Sequence, residues 1–528
     1  MSGFFIRKIN LKINMLKDNR PNPGKLVSSL RNSGYDNVSA ILDIIDNSVD
    51  AKAKEIKVNI FKDAKDEMSI VIADNGIGMD EKTLGEALKL GSDTKRDEGS
   101  DLGKFGLGLV TASWSMCKNI LVITRDKKGK LLKNEMDIDL MVKKNEFVCD
   151  ISKADYNDHA CFEKIIGKST GTVVILSKCD KIQNKDINSF TGRLKKHMGS
   201  TYRKFIDSEI DFFVNGKNVE RIDPLMLNEK GTEVYSDDNY DFFTRKKGEK
   251  STVNIKVVIL PRYIQAESKD RGINIRNQGF YILRNNREII AGKTLDVFVK
   301  HNSANRIRIE LSFLGALDEK MGVNFTKQGV APCQEIMDKL KQEIGGQIAS
   351  IKKVIDKEIS EQAGKDIDEI SFSDAEKVIS NKSNLLMTPK SEVEKRKKYT
   401  KRTEEEKKKI KINNKKENER LRKMFKETHL PKNGKYCKFT SYPMGRSGSI
   451  YEANQVGKII IVAWNSDHPF YKTFLLDKKG DKESSSAANF LVYAMATAEL
   501  KTFNSDDNYE LLEGFKTTLS SNLRVLLS

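Results

Sequence analysis

No apolar run of about 18 residues occurs anywhere in the 528-residue chain, which argues against a membrane-spanning helix. The opening stretch "MSGFFIRKINLKINMLK" is interrupted by lysine throughout and lacks the apolar core of a signal peptide. Six cysteines (Cys117, Cys149, Cys161, Cys179, Cys333, Cys437) are scattered without a single C-x-x-C pair. That spacing argues against a structural zinc site or a disulfide framework and fits a reducing, cytoplasmic setting.

What is present is enough to fold. A hydrophobic content of 38% can build real cores, and the length suits about three or four domains. The formal net charge of +18 points toward a polyanionic partner.

The most informative stretch is "ILDIIDNSVDA", Ile41 to Ala51. At helical spacing Asp43, Asp46, Asn47 and Asp50 share one face, while Ile41, Leu42, Ile44, Ile45, Ser48 and Val49 turn away from it. Asp36, Asn37 and Ser39 just upstream are residue types that cap a helix start. The face reads either as a solvated acidic surface or as part of a site. Downstream, "IVIADNGIGM" is a strand pattern ending in Asp74, with Gly76 and Gly78 behind it. A carboxylate at a strand end, beside glycines that let a ring approach the backbone, suits an exocyclic amine; a plain Asn-Gly turn is the alternative. In "DLGKFGLGLVTAS", Gly103, Gly106 and Gly108 precede a helix-compatible run. They expose backbone N–H groups to which Lys104 adds a positive charge, an arrangement for phosphate or else a surface loop. "STGTVVILSK" gives a β-rich run led by Gly171 and Thr172.

In this order the four elements resemble the GHKL ATPases: gyrase B, MutL, the related heat-shock chaperones, histidine kinases and MORC proteins. The resemblance covers roughly the first 330 residues and is nearest to prokaryotic MORC- and MutL-like proteins. It implies ATP and Mg²⁺ as cofactors, with Asp43 as general base and Asn47 on the metal. It further implies Asp74 on adenine beside Gly76 and Gly78, Gly103, Lys104, Gly106 and Gly108 in the lid, and Thr172 at the adenine pocket. The family's base is commonly Glu; Asp43 is one methylene shorter, which implies slow hydrolysis. Asp46, on the same face, ranks second.

Strand-like runs follow at 211–219, 253–261, 279–290 and 306–315, punctuated by Asn-Gly and Asn-Asn turns. By resemblance they form a transducer domain, whose γ-phosphate lysine matches Lys327 in "NFTKQGVAP". From Cys333 the pattern becomes helical and charged, and residues 390–430 hold 17 Lys or Arg against 8 Asp or Glu. That segment is either a DNA-contacting arm or a solvated connector, since no recognised DNA-binding motif accompanies the charge. The last hundred residues return to globular composition. His468 beside Asp467 lacks a spaced nucleophile and reads as structural, and no metal-ligand cluster stands near it.

The expected architecture is therefore α/β. It comprises a Bergerat-type sandwich over 1–190, an α/β transducer over 191–332, a basic helical segment over 333–430, and a small α/β dimerisation or docking module over 431–528. The resemblance implies an ATP-dependent homodimeric clamp on DNA, and the charge excess of 390–430 with no base-reading motif beside it is expected to contact the backbone without reading sequence. It also implies a nuclease or helicase partner, no membrane, and a place in restriction or anti-phage defence. A chaperone-like ATPase acting on protein clients is the alternative.

Overall fold

A computed structural model describes residues 21–32, 36–63, 66–91, 101–102, 108–206, 209–246, 248–263, 265–298, 300, 304–323, 329–365, 372–383, 385–387, 389, 436–446, 448–456, 459–477, 481–502 and 506–527. The chain divides into two units between Ile222 and Asp223.

In the first unit the helices are α1 (Pro23–Arg31), α2 (Asn37–Asp50), α3 (Glu81–Ala87), α4 (Gly108–Trp114), α5 (Ile138–Lys144), α6 (Tyr156–Ile165) and α7 (Ile187–Thr201). The strands are β1 (Glu55–Lys62), β2 (Met68–Asp74), β3 (Asn119–Arg125), β4 (Leu131–Asp137), β5 (Asp150–Lys153), β6 (Gly171–Ser177), β7 (Asp211–Val214) and β8 (Lys217–Asn218). They form one eight-stranded sheet in the order β5-β4-β3-β6-β2-β1-β7-β8. All pairs are antiparallel except β1 with β7. The molecule is thus of the expected α/β class. The run at 211–219, read from sequence with the second domain, instead pairs with β1, because Glu55–Val58 offers it a free parallel edge.

Period-two alternation assigns the faces of this sheet. Ile70 and Ile72 of β2, Ile120 and Val122 of β3, and Val174 and Leu176 of β6 pack with Ile41, Ile44 and Ile45 of α2. Val71, Ala73, Ile123 and Val173 turn the other way and are covered by Phe162 of α6. With both faces covered, every residue of β2 is buried, so its sequence reads as a continuous apolar run.

The second unit holds a five-stranded sheet, β12-β11-β13-β10-β9, built from β9 (Glu233–Phe243), β10 (Lys250–Ile259), β11 (Gly279–Arg284), β12 (Arg287–Lys293) and β13 (Ile307–Phe313). Asn285 and Asn286, both with positive φ, make the two-residue hairpin between β11 and β12. After α8 (Gln265–Asp270), the long helix α9 (Gln334–Lys365) lays Ile336, Leu340, Ile344, Ile348, Ile351 and Ile355 into the core of this sheet. That spacing of three and four is one helical stripe. A third sheet, β14-β16-β15, comprises β14 (Tyr436–Tyr442), β15 (Tyr451–Val456) and β16 (Ile459–Asn465). It shares a core with α10 (Ser373–Lys382), α11 (Lys482–Thr502) and α12 (Asp506–Leu526) through Ala375, Ile379, Val462, Trp464, Val492 and Leu519. The basic segment 390–430 lies outside the described residues.

Candidate functional site

Helix α2 starts because Asp36 caps it, accepting from the Ser39 N–H at 3.3 Å. Its polar residues are not a solvated surface: Asp43 is 4% exposed and Asp46 fully buried. Nor do they act together. The Tyr202 hydroxyl lies 2.9 Å from Asp46 Oδ1 and 2.7 Å from the Leu42 carbonyl oxygen, and its one proton serves these two acceptors in turn. Tyr202 in turn stacks on Phe212 with ring centroids 5.0 Å apart. Asp46 is therefore tied into the packing against α7 and β7. Asp50 accepts from the Leu102 N–H at 2.7 Å. Asn47 is half-buried; its Nδ2 donates to the Asp43 and Ile44 carbonyls at 3.4 Å each, and its Oδ1 has no partner among the described residues.

Ser48 corrects the sequence reading. Placed there among the residues turned away from the site, it donates from Oγ to Asp74 Oδ2 at 2.8 Å. A small hydroxyl one residue past Asn47 gives no sequence signal for this contact.

Asp74 ends β2 in direct register with Thr172 on β6, and Thr172 is in register with Thr124 on β3. Since Ile72, Val174 and Val122 two residues away pack under α2, the alternation puts all three polar side chains on that same face. Asp74 Oδ1 accepts from the Gly76 N–H at 2.9 Å. Burial pushes its carboxyl up to about 6; the bonds from Gly76, from the Ser48 hydroxyl and from the Thr172 backbone hold it from rising further. A carboxylate has about four acceptor positions; these bonds leave room for a ligand donor.

The loop after Asp74 is held rigidly. Ile77 N–H donates to the Ala51 carbonyl at 3.0 Å, the Thr170 hydroxyl to Gly76 O at 2.7 Å, and Met79 N–H to Thr124 Oγ1 at 2.9 Å. Gly78 has φ +67°, and a Cβ there would stand 2.0 Å from the Arg125 carbonyl oxygen, so only glycine fits. Neither Thr124 nor Thr170 carried a sequence signal, since their positions matter only once the strands pair.

Of the remaining residues singled out from sequence, Gly108 opens α4. Gly103, Lys104, Gly106 and Lys327 lie outside the described residues. Among the described residues there is no cluster of three or more His, Cys, Asp or Glu that could hold a metal ion. That donor set still fits Mg²⁺ bound largely through phosphate and water, which needs only one or two protein oxygens; the open amide oxygen of Asn47 is one. No helix among the described residues is long and apolar enough to cross a membrane.

Residues 35–172 match the family described as histidine kinase-, DNA gyrase B-, and HSP90-like ATPase. The match supports the GHKL class. It spans every position named above from Asp43 to Thr172, and GHKL proteins generally bind ATP with Mg²⁺. No curated protein matches the chain.

Proposed function

We propose that the chain is an ATP-operated homodimeric clamp acting on DNA, of the MORC- or MutL-like kind. The observation that carries the nucleotide reading is the row Asp74–Thr172–Thr124 beside Ser48 and Asn47, inside the segment that matches the GHKL family. In this reading Asp74 takes a hydrogen bond from the adenine amine. Asn47 Oδ1 would hold Mg²⁺, which when bound supplies charge neutralisation at the phosphates. Asp43 accepts the proton of the attacking water, with its shorter side chain setting a slow rate. Lid glycines Gly103, Gly106 and Gly108, Lys104 and Lys327 close over the phosphates. Closure follows ATP rather than ADP because a ligand shifts an equilibrium only by its different affinity for the two states.

The DNA part rests on charge: 17 basic against 8 acidic residues between 390 and 430, with no base-reading motif, suits backbone contact. Resemblance to MORC- and MutL-like proteins supports a defence role and a nuclease or helicase partner.

One experiment addresses the whole reading: duplex-DNA affinity against salt, with and without a non-hydrolysable ATP analogue, for the parent and Asp74→Asn. The parent should bind more tightly with analogue. About five phosphate contacts give a log–log slope near −4 to −5. Asp74→Asn should lose the analogue effect and keep the slope. Salt-independent affinity would sink the DNA reading; an analogue effect surviving in Asp74→Asn would sink the assignment of the nucleotide site.

A further inference from the structure

Thr124 is fully buried, and its hydroxyl has three neighbours. The Met79 N–H stands 2.9 Å away, the Gly171 carbonyl oxygen 3.0 Å, and the Thr172 hydroxyl oxygen 3.1 Å. A threonine hydroxyl has one proton and two lone pairs. The Met79 N–H can only donate, so it takes a lone pair. The Gly171 carbonyl can only accept, so it takes the proton. One lone pair of Thr124 is left, and the Thr172 hydroxyl fills it by donating. Every position on Thr124 is then used, and the direction of the third bond follows from the other two.

The consequence falls on Thr172. With its proton committed to Thr124, its oxygen can face a ligand only as an acceptor. Asp74, its neighbour in the row, is an acceptor as well. Two adjacent acceptors suit a purine carrying an amino group at position 6, and oppose one carrying a carbonyl oxygen there, because an unpaired acceptor–acceptor contact in a desolvated site is costly. We propose that Thr124 is a specificity-determining positioning residue: it fixes the Thr172 hydroxyl as an acceptor and so makes the site select 6-aminopurine over 6-oxopurine nucleotides. This rests on the reading of Asp74 as the base-recognising group.

The test uses ATP and inosine triphosphate, which has a carbonyl oxygen in place of the 6-amino group, titrated calorimetrically into the full chain. The parent should prefer ATP. Thr124→Val removes the proton sink, frees the Thr172 hydroxyl to donate, and should narrow the ATP preference by about tenfold, the size of one directional hydrogen bond. Thr124→Ser keeps the hydroxyl and should keep the parent's ratio. In Thr124→Val/Thr172→Val the gained affinity for inosine triphosphate should disappear.

Thr124→Val also deprives the Met79 N–H of its partner, so a second variant guards against a folding failure. Thr172→Val alone should weaken ATP more than inosine triphosphate if Thr172 accepts. The opposite order would make it a donor and overturn the proposal. So would an equal weakening of both nucleotides in Thr124→Val, which would leave Thr124 as loop support only. A parent that binds neither nucleotide would instead refute the site reading beneath the proposal.

Discussion

Asn47 in the first unit and Asn465 at the end of β16 carry the same amide in opposite circumstances. Asn465 Nδ2 donates to the Gly445 and Ser449 carbonyls at 2.9 and 3.0 Å, and its Oδ1 accepts from the Met444 and Asp467 N–H groups at 3.0 and 3.1 Å. It is fully buried and fully used. Asn47 makes two long contacts to its own helix and leaves its oxygen without a partner among the described residues. The same contrast separates the nearby groups. His468 caps the turn after β16, accepting from the Phe470 N–H at 3.1 Å through Nδ1 and donating to the Ser520 carbonyl at 3.0 Å through Nε2. Both its nitrogens are spent on the fold, which leaves no catalytic role for a pair with Asp467. Asp74, by contrast, keeps acceptor capacity at a strand end. A saturated polar cluster holds a fold; one with capacity left over at the end of a sheet keeps acceptors that solvent or a ligand can fill.

The largest effect that tests this contrast lies within α2. Asp43→Asn should leave ATP bound and slow its hydrolysis by about 10²–10⁴, the usual cost of a lost base. Asp46→Asn should instead lower the melting temperature by disturbing the Tyr202 contact, with turnover per bound nucleotide unchanged. Single-turnover measurements decide between them. Undiminished hydrolysis in Asp43→Asn would return the role to another group.

Next in size is the asparagine pair itself. Asn465→Ala removes the partner of four backbone groups, the buried Met444 N–H and three part-buried ones, and should destabilise the protein by about 2–4 kcal/mol in denaturant unfolding, with ATP affinity unchanged. Asn47→Ala should do the reverse: stability within about 0.5 kcal/mol, and Mg²⁺-dependent ATP binding about tenfold weaker. If both substitutions act only on stability, the difference in hydrogen bonding has no functional meaning.

Sequence pattern carried some of this and not the rest. The strand ending in Asp74, the helix cap at Asp36 and the Asn285–Asn286 hairpin were legible because each depends on neighbours in the chain. Strand β9 was not: "EVYSDDNYDFF" is an edge strand with most of its length exposed, so its composition resembles a loop. The shares taken by Asp46 and Ser48 were also misjudged. A helical face says which side chains are neighbours on the helix, and only the packing of α7 and β2 against it decides what each one meets. Thr124 was invisible for the same reason, since its row exists only once β2, β6 and β3 are in register.

The third comparison uses pH. Asp74 is ordinary at about 3.8 when unfolded and is raised to about 6 by burial. A raised carboxyl binds its proton more tightly in the folded state. Its contribution is therefore unfavourable above about pH 6, where it must ionise in its buried site, and is relieved as pH falls through that value. Without nucleotide, Asp74→Asn should be more stable than the parent at about pH 8, by on the order of 2–3 kcal/mol, with the gap closing toward about pH 4. A gap that stays constant across this range would mean that the carboxyl is not desolvated as described.

The smallest expected effect has the opposite sign in the same interval. Burial lowers the imidazole of His468 below its usual 6.5, the Arg524 charge adds to this, and the bond to the Ser520 carbonyl opposes both. A lowered imidazole favours its neutral form in the fold. That contribution is present in full above about pH 6.5 and is lost as pH falls through the unfolded value toward the folded one. His468→Asn can still cap the turn by accepting from the Phe470 N–H, so it removes the Ser520 bond and the titration but keeps the cap. Thermal melts should find it about 1 kcal/mol less stable than the parent near pH 7.5, the worth of one hydrogen bond, with the difference shrinking toward pH 5. Acid would thus relieve the strained carboxyl of the first unit while loosening the saturated cluster of the second. A His468→Asn deficit that grows on acidification would reverse the sign and show that the imidazole is charged in the fold.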